Sequence, residues 1–189
     1  MAELDARERI LTASRQEIAA SGVRGLRVQQ VAKRAGVSLG LVYYHFEDRT
    51  GLLNATIDAV NRAVQDRGPV SDASLSPAES ITTMLAAEFG DAGSTRDDSV
   101  VWNEIRAIAV FETEIQAALS QTTREWEGRL SEPLEHAGVP SEAIAETATL
   151  LTGLVEGLSS RWLSGQLDTA TAQKLMRRGV SAILAATIT

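Results

Sequence analysis

The stretch Ala35-Gly36-Val37-Ser38-Leu39-Gly40-Leu41-Val42-Tyr43-Tyr44-His45-Phe46 decides how this 189-residue chain is read. Gly36 can end one helix in the left-handed backbone region that most residues resist. The Ser38 hydroxyl can accept a hydrogen bond from an orphan N–H at the start of the next helix. The chain holds three Trp, two Tyr and three Phe. Three of these eight, Tyr43, Tyr44 and Phe46, fall within four positions, beside one of the two histidines, His45. A helix, a tight turn and a second helix ending in a polar aromatic cluster is what laying one helix in a DNA groove requires.

Working outward, Val28, Val31, Ala32 and Ala35 give a short helix before the turn, and Ser38 to Phe46 the helix after it. Ile10, Leu11, Ser14 and Ile18 share one face of a helix predicted from about Asp5 to Ser21, ended by Gly22. Asp48 caps a fourth helix with Leu52, Leu53, Ile57, Val60 and Val64 spaced for burial, and Gly68-Pro69 stops it. Residues 70–76 read as a polar linker. Ser76 then caps, and Pro77 opens, a fifth helix through Ile81, Met84, Leu85 and Phe89, proline being harmless at a first helical position. Gly90 to Asp98 is expected to be a loop. Helices follow over Ser99 to Phe111, over Thr113 to Ala137 with a kink or reset at Pro133, and from Ser141 to Ser164. Asp168 caps a last one reaching Ala186.

No strand pattern or internal repeat interrupts this order. The expected fold is all-α with about nine helices. A three-helix head (residues 1–50) is linked by a helix of about residues 49–67 to a body (residues 51–189) for ligand binding and dimerisation.

Composition narrows the function. Hydrophobic content of 44% and charged content of 23% are ordinary for a globular chain. Without cysteine there is no disulfide and no thiolate metal site, which fits a reducing cytoplasm. The first residues lack the basic-then-apolar pattern of a secretory signal, and no apolar run reaches the roughly 18 residues of a membrane span. Two histidines, 45 and 136, cannot build a multi-histidine metal centre, and no nucleophile motif or glycine-rich phosphate loop is present. No cofactor, no metal and no enzymatic activity are expected.

The net charge of -7 is unevenly spread. Residues 1–50 carry eight Lys/Arg against six Asp/Glu, a net of +2, and the remainder ten against nineteen, a net of -9. A mildly basic head on an acidic body suits phosphate contact through one end.

The ordered run Ala-Gly-Val-Ser-x-Gly-x-x-Tyr-x-His-Phe at 35–46, together with Arg9-Ile10-Leu11, Gly22, Val31-Ala32 and Leu52, resembles the TetR family of bacterial transcriptional regulators. The likeness is close over Arg9 to Leu53 and architectural beyond. It implies a DNA-binding head on a helical body that dimerises and binds a small molecule that weakens DNA binding. Tyr43 and His45 match family positions that contact phosphates. Arg49 stands where the family usually has lysine, and keeps the charge. The family usually has threonine near Arg27; arginine can hold phosphate there but cannot cap the helix.

The residues themselves agree. Val37, Val42 and Phe46 are spaced to face inward, leaving Leu39, Gly40, Tyr43 and Tyr44 on the opposite face. Gly40 sacrifices about 0.5–1 kcal/mol relative to alanine, either for close backbone approach to the duplex or because a helix start tolerates it. Ser38 and Arg49, near helix N-termini, are placed for phosphate. Base reading falls to Leu39, Leu41 and Tyr44, with Arg27 or Gln29, through apolar contact with thymine methyls or Gln with adenine.

For a small-molecule effector, still unidentified, the candidates are Met84, Phe89, Trp102, Ile105, Arg106, Phe111, Trp126 and Leu130, with Glu104 and His136 as further polar groups; each could equally be ordinary core. For dimerisation as a four-helix bundle the candidates are Leu151, Val155, Leu158, Trp162, Val180, Ile183 and Leu184, with Gly153 and Gly157 permitting close approach. These stripes could instead pack within one subunit. The expectation is a homodimeric repressor of a palindromic double-stranded operator, its recognition helices about 34–36 Å apart, released by its ligand. An activator or a ligand-independent DNA binder of the same fold is the alternative.

Overall fold

The computed structural model describes residues 5–66, 74–91 and 93–188. Among these residues there are nine α-helices and no strand. The order is α1 (Ala6–Gly25), α2 (Val28–Ala35), α3 (Leu39–Phe46), α4 (Arg49–Asp66), α5 (Pro77–Ala86), α6 (Gly93–Ala109), α7 (Thr113–His136), α8 (Ile144–Leu163) and α9 (Thr169–Thr187), with a 3-10 turn at Ser141–Ala143 before α8. The expected stop at Gly68-Pro69 and linker residues 70–73 lie outside the described residues, as does the side chain of Val64.

Local chemistry explains most boundaries. Gly36 takes φ 65°, ψ 38°, and Val37 N–H donates to Ala32 O at 3.1 Å, closing α2 in a left-handed cap. Ser38 Oγ accepts from Leu41 N–H at 3.2 Å to start α3. Ser76 and Glu79 form a reciprocal capping box at α5, and the two bonds from Ser76 hold the Glu79 carboxyl below its ordinary pKa. Asp168 accepts from Thr171 N–H at 2.7 Å to start α9.

Four expectations shift. The first helix breaks at Gly22 as expected (φ 72°, ψ 167°), but helical turns resume beyond it to Gly25. The expected loop at Gly90–Asp98 is helical from Gly93. Its polar run Ser94 to Asp98 reads as a loop by composition, but Asp98 is buried against Arg15 of α1 at 3.3 Å. Conversely α5 and α6 end earlier than expected, leaving Phe89, Val110 and Phe111 in turns. Pro133 lies in the last turn of α7, and the helix runs past it to His136 without resetting.

Two apolar clusters form. The first joins the head helices to α4 through Ile10, Val31, Val42 and Leu52, and extends into α6 through Val101, Ile105 and Ile108 and into α7 through Ile115. The second joins α5, α7, α8 and α9 through Leu85, Leu134, Leu151 and Met176. Helix α6 thus belongs to the core of the head as much as to the body.

Candidate nucleic-acid interface and ligand cavity

Helix α3 buries Val42 and Phe46 and turns its other face outward. Tyr44 is 80% exposed and Tyr43 45%; Ser38 and Gly40 are exposed beside them, as are Arg27 and Gln29 at the start of α2. Nothing in the fold requires glycine at 40, since a Cβ there would have only Ser38 Oγ within reach, at 4.0 Å. Arg27 makes no side-chain cap to α2, leaving its guanidinium free of that duty. His45 is half-buried, its ring edge-on to Tyr44 at 5.3 Å and tilted to Phe46 at 5.9 Å. Arg7 of α1 lies over the opposite partner in that stack, 5.5 Å from the Phe46 ring.

Two of the residues expected at DNA have work inside the head. Leu39 is half-buried and packs on the first core, and Leu41 is half-buried as well. The Arg49 guanidinium donates from Nε to Leu26 O at 3.1 Å and from Nη2 to Val23 O at 2.5 Å. It therefore caps the carbonyl end of α1 from the start of α4. Gly51, two residues on, lies so close to the Phe46 carbonyl that a Cβ would fall 2.1 Å from that oxygen.

In the body, a cleft with roughly 500 Å³ of empty space, its mouth included, opens among α4, α6, α7 and α8. Trp102 and Arg106 line it from α6, Leu119, Thr122, Thr123 and Trp126 from α7, and Thr152, Val155 and Glu156 from α8, with Asn61 and Glu88 at its edges. Arg106 Nε lies 2.9 Å from Glu156 Oε1, and Arg129 stacks over Trp126 at 5.4 Å. Thr122 and Thr152 donate their hydroxyls to carbonyls of their own helices, so toward the cleft they offer only methyls and lone pairs.

Of the residues expected at a ligand, the structure gathers Trp102, Arg106 and Trp126 here. Met84, Phe89 and Leu130 belong to the second core, Phe89 stacking edge-on to Trp162 at 5.8 Å. Ile105 is in the first core, Phe111 is 77% exposed in the α6–α7 turn, and His136 is exposed. Glu104 faces the head, where it accepts Val23 N–H at 2.9 Å. The lining threonines and Glu156 escaped the sequence because apolarity was the criterion. Their signal was polar residues at helical spacing within apolar faces, Thr152 with Glu156 and Thr122 with Trp126.

The residues expected at a dimer contact need the same sorting. Leu151, Leu158, Trp162, Val180 and Leu184 are buried in the second core, and the half-buried Val155 and Ile183 pack against it. Their stripe is the inner face of α8 and α9. The outer face carries Leu150, Gly153 and Gly157 on α8 and Leu175 on α9, with open space where a Cβ would stand at either glycine.

A tyrosine-bearing helix presented by a tight turn, on a helical body with its own cleft, defines a helix-turn-helix DNA-binding transcriptional regulator. Residues 10–56 match the model of bacterial regulatory proteins of the tetR family, and residues 77–185 that of the C-terminal region of BetI-type transcriptional repressors. The chain belongs to the TetR family. A TetR-family transcriptional regulator from Rhodococcus sp. superposes with a TM-score of 0.86 at 35% identity, over 95% of this chain and 98% of that one. The HTH-type transcriptional regulator BetI of Burkholderia thailandensis is 29% identical over 95% of this chain and 93% of its own length. A transcriptional regulator from Saccharomonospora viridis, solved in complex with choline, shares the fold with a TM-score of 0.77 at 22% identity, covering 95% of each chain.

Proposed function

We propose that the protein is a homodimeric repressor whose operator binding is released by a compact organic cation held in the cleft. The observation that carries this reading is the cleft's chemistry. Two indole rings, Trp102 and Trp126, stand with two carboxylates, Glu88 and Glu156, of which Glu156 pairs with Arg106. Arg129 covers one face of Trp126, while among the described residues no cation lies over the Trp102 ring. Aromatic faces attract cations, and quaternary ammonium groups in particular. The threonine hydroxyls add acceptors rather than donors. The choline held by the Saccharomonospora viridis relative supports the same ligand class.

In this reading Tyr43 and His45, with Ser38, Arg27 and a part of Arg49, hold phosphates, which fix register. Tyr44, with Leu41 and Gln29 beside it, reads bases, and Gly40 lets the backbone approach. The outer faces of α8 and α9 join two subunits as a four-helix bundle.

The test compares choline with its uncharged carbon isostere, 3,3-dimethyl-1-butanol. Choline at about 100 times its Kd stabilises the protein by about 2.7 kcal/mol in a melting experiment and releases a DNA duplex selected by the protein from a random-sequence pool. The isostere does neither. Equal effects from both compounds, or none from choline, would refute the cation site.

A further inference from the structure

The break in α1 is built around one carboxylate from another helix. At Gly22 the backbone leaves the helix with φ 72°, and the next N–H, that of Val23, points out of the broken turn. Glu104 of α6 meets it, Oε2 accepting at 2.9 Å. The fit leaves no room for a side chain, because a Cβ on Gly22 would stand 2.6 Å from Glu104 Oε2. The same residue is held at its other end, since Val23 O accepts from Arg49 at the first position of α4, three residues after the recognition helix. Val23 is 3% exposed, and both bonds are part-buried. One peptide residue therefore links a body helix to the junction of α3 and α4.

Helix α6 is placed to use that link. Trp102 and Arg106, four residues apart, line the cleft, while Glu104 between them reaches the head. A second tie, Arg15 to Asp98 at 3.3 Å, holds the earlier part of α1 to α6. Asp98 and Glu104 thus tie α6 to α1 on either side of Val101, which is packed in the head's core.

We infer that Glu104 is a positioning residue: by accepting the Val23 N–H at the break in α1, it fixes the angle at which α6 carries the DNA-binding head, and so the separation of the two recognition helices of a dimer. A residue that merely stabilised the fold would affect all DNA equally. A residue that sets an angle controls how strictly half-site spacing is measured. The inference rests on the dimeric reading above.

The experiment uses the full chain and three duplexes: the one selected by the wild type, and copies with one base pair inserted or removed at its centre. The quantity read is the ratio of affinities, native spacing over altered spacing. Glu104→Ala lowers this ratio by about tenfold or more, the scale of losing a hydrogen bond to a charged group. Glu104→Gln, which keeps an acceptor oxygen, stays near the wild type. If Glu104→Ala does not fold, Glu104→Asp, too short to reach Val23, gives the same loss. An unchanged ratio in whichever of these two variants folds, with affinity for all three duplexes falling in parallel, would overturn the inference and leave the dimer intact. Loss of the ratio in Glu104→Gln equal to that in the shorter side chains would also overturn it. A wild type indifferent to spacing would overturn the dimeric reading itself, and this inference with it.

Discussion

Gly51→Ala tests whether the α3–α4 junction sets the pose of the recognition helix. A Cβ at position 51 would stand 2.1 Å from the Phe46 carbonyl oxygen, whereas ordinary contact begins at 3.4 Å. The obstacle is backbone, not a side chain that can swing aside, so the end of α3 and the start of α4 must separate by more than an ångström. Phe46 is buried and Leu52 fully so, so the movement is opposed on both sides by the head's core. Overpacking of this kind costs about 1–3 kcal/mol, and at about 2–4 °C per kcal/mol for a chain this size the melting temperature falls by about 2–12 °C. The recognition helix moves with it. Losing the equivalent of one base contact, about 1–3 kcal/mol, lowers affinity for the selected duplex by roughly 5- to 150-fold. The control is Gly128→Ala in α7, where a Cβ meets nothing within 4 Å and the substitution stabilises by about 0.5–1 kcal/mol. Differential scanning fluorimetry and fluorescence anisotropy read both variants. A Gly51→Ala protein that melts and binds like the wild type would refute the reasoning.

Two further predictions concern the interfaces. Tyr43→Phe removes a hydroxyl expected at phosphate and weakens specific and random DNA by the same factor, whereas Tyr44→Ala weakens the selected duplex more than random DNA; parallel losses for Tyr44→Ala, measured by anisotropy, would remove it as a base reader. Gly157→Leu fills open space on the outer face of α8 and leaves the subunit's helical content by circular dichroism unchanged, while light scattering shows monomers in place of dimers. A dimer that survives the substitution would move the interface elsewhere.

The head was legible because its determinants are local. The left-handed Gly36, the Ser38 cap and the i, i+4 pair Val42 and Phe46 each act within a few residues, so spacing alone places them. The body was legible as helices but not as surfaces. The apolar stripe Leu151, Leu158, Trp162 reports that a face is covered, and periodicity does not say whether a neighbouring helix or a second subunit covers it. Here Met176 and Val180 of the same chain do so, and the face left open is the less apolar one with Gly153 and Gly157. Arg49 shows the complementary limit. Its charge and position beside α3 suggested phosphate, but its guanidinium is taken up by the carbonyls of Val23 and Leu26, 26 and 23 residues away in sequence.

The position of the cleft follows from how the two cores meet. Trp102 and Leu119 pack against the first core, Trp126 and Val155 against the second, and all four line the cleft. The seam between them carries Thr122, Thr123, Thr152 and the Arg106–Glu156 pair, residues that neither core can absorb without leaving polar groups unsatisfied. Packed cores resist deformation, so motion in such a protein concentrates where two of them abut. A ligand wedged among these side chains touches both cores at once, at a place where they meet. The head moves with the first core because α6 is part of it, and Trp102 and Arg106, which line the cleft from α6, flank the carboxylate that grips the head. A ligand need not reach toward DNA to be felt there; it needs only to bind one arrangement of the two cores better than the other.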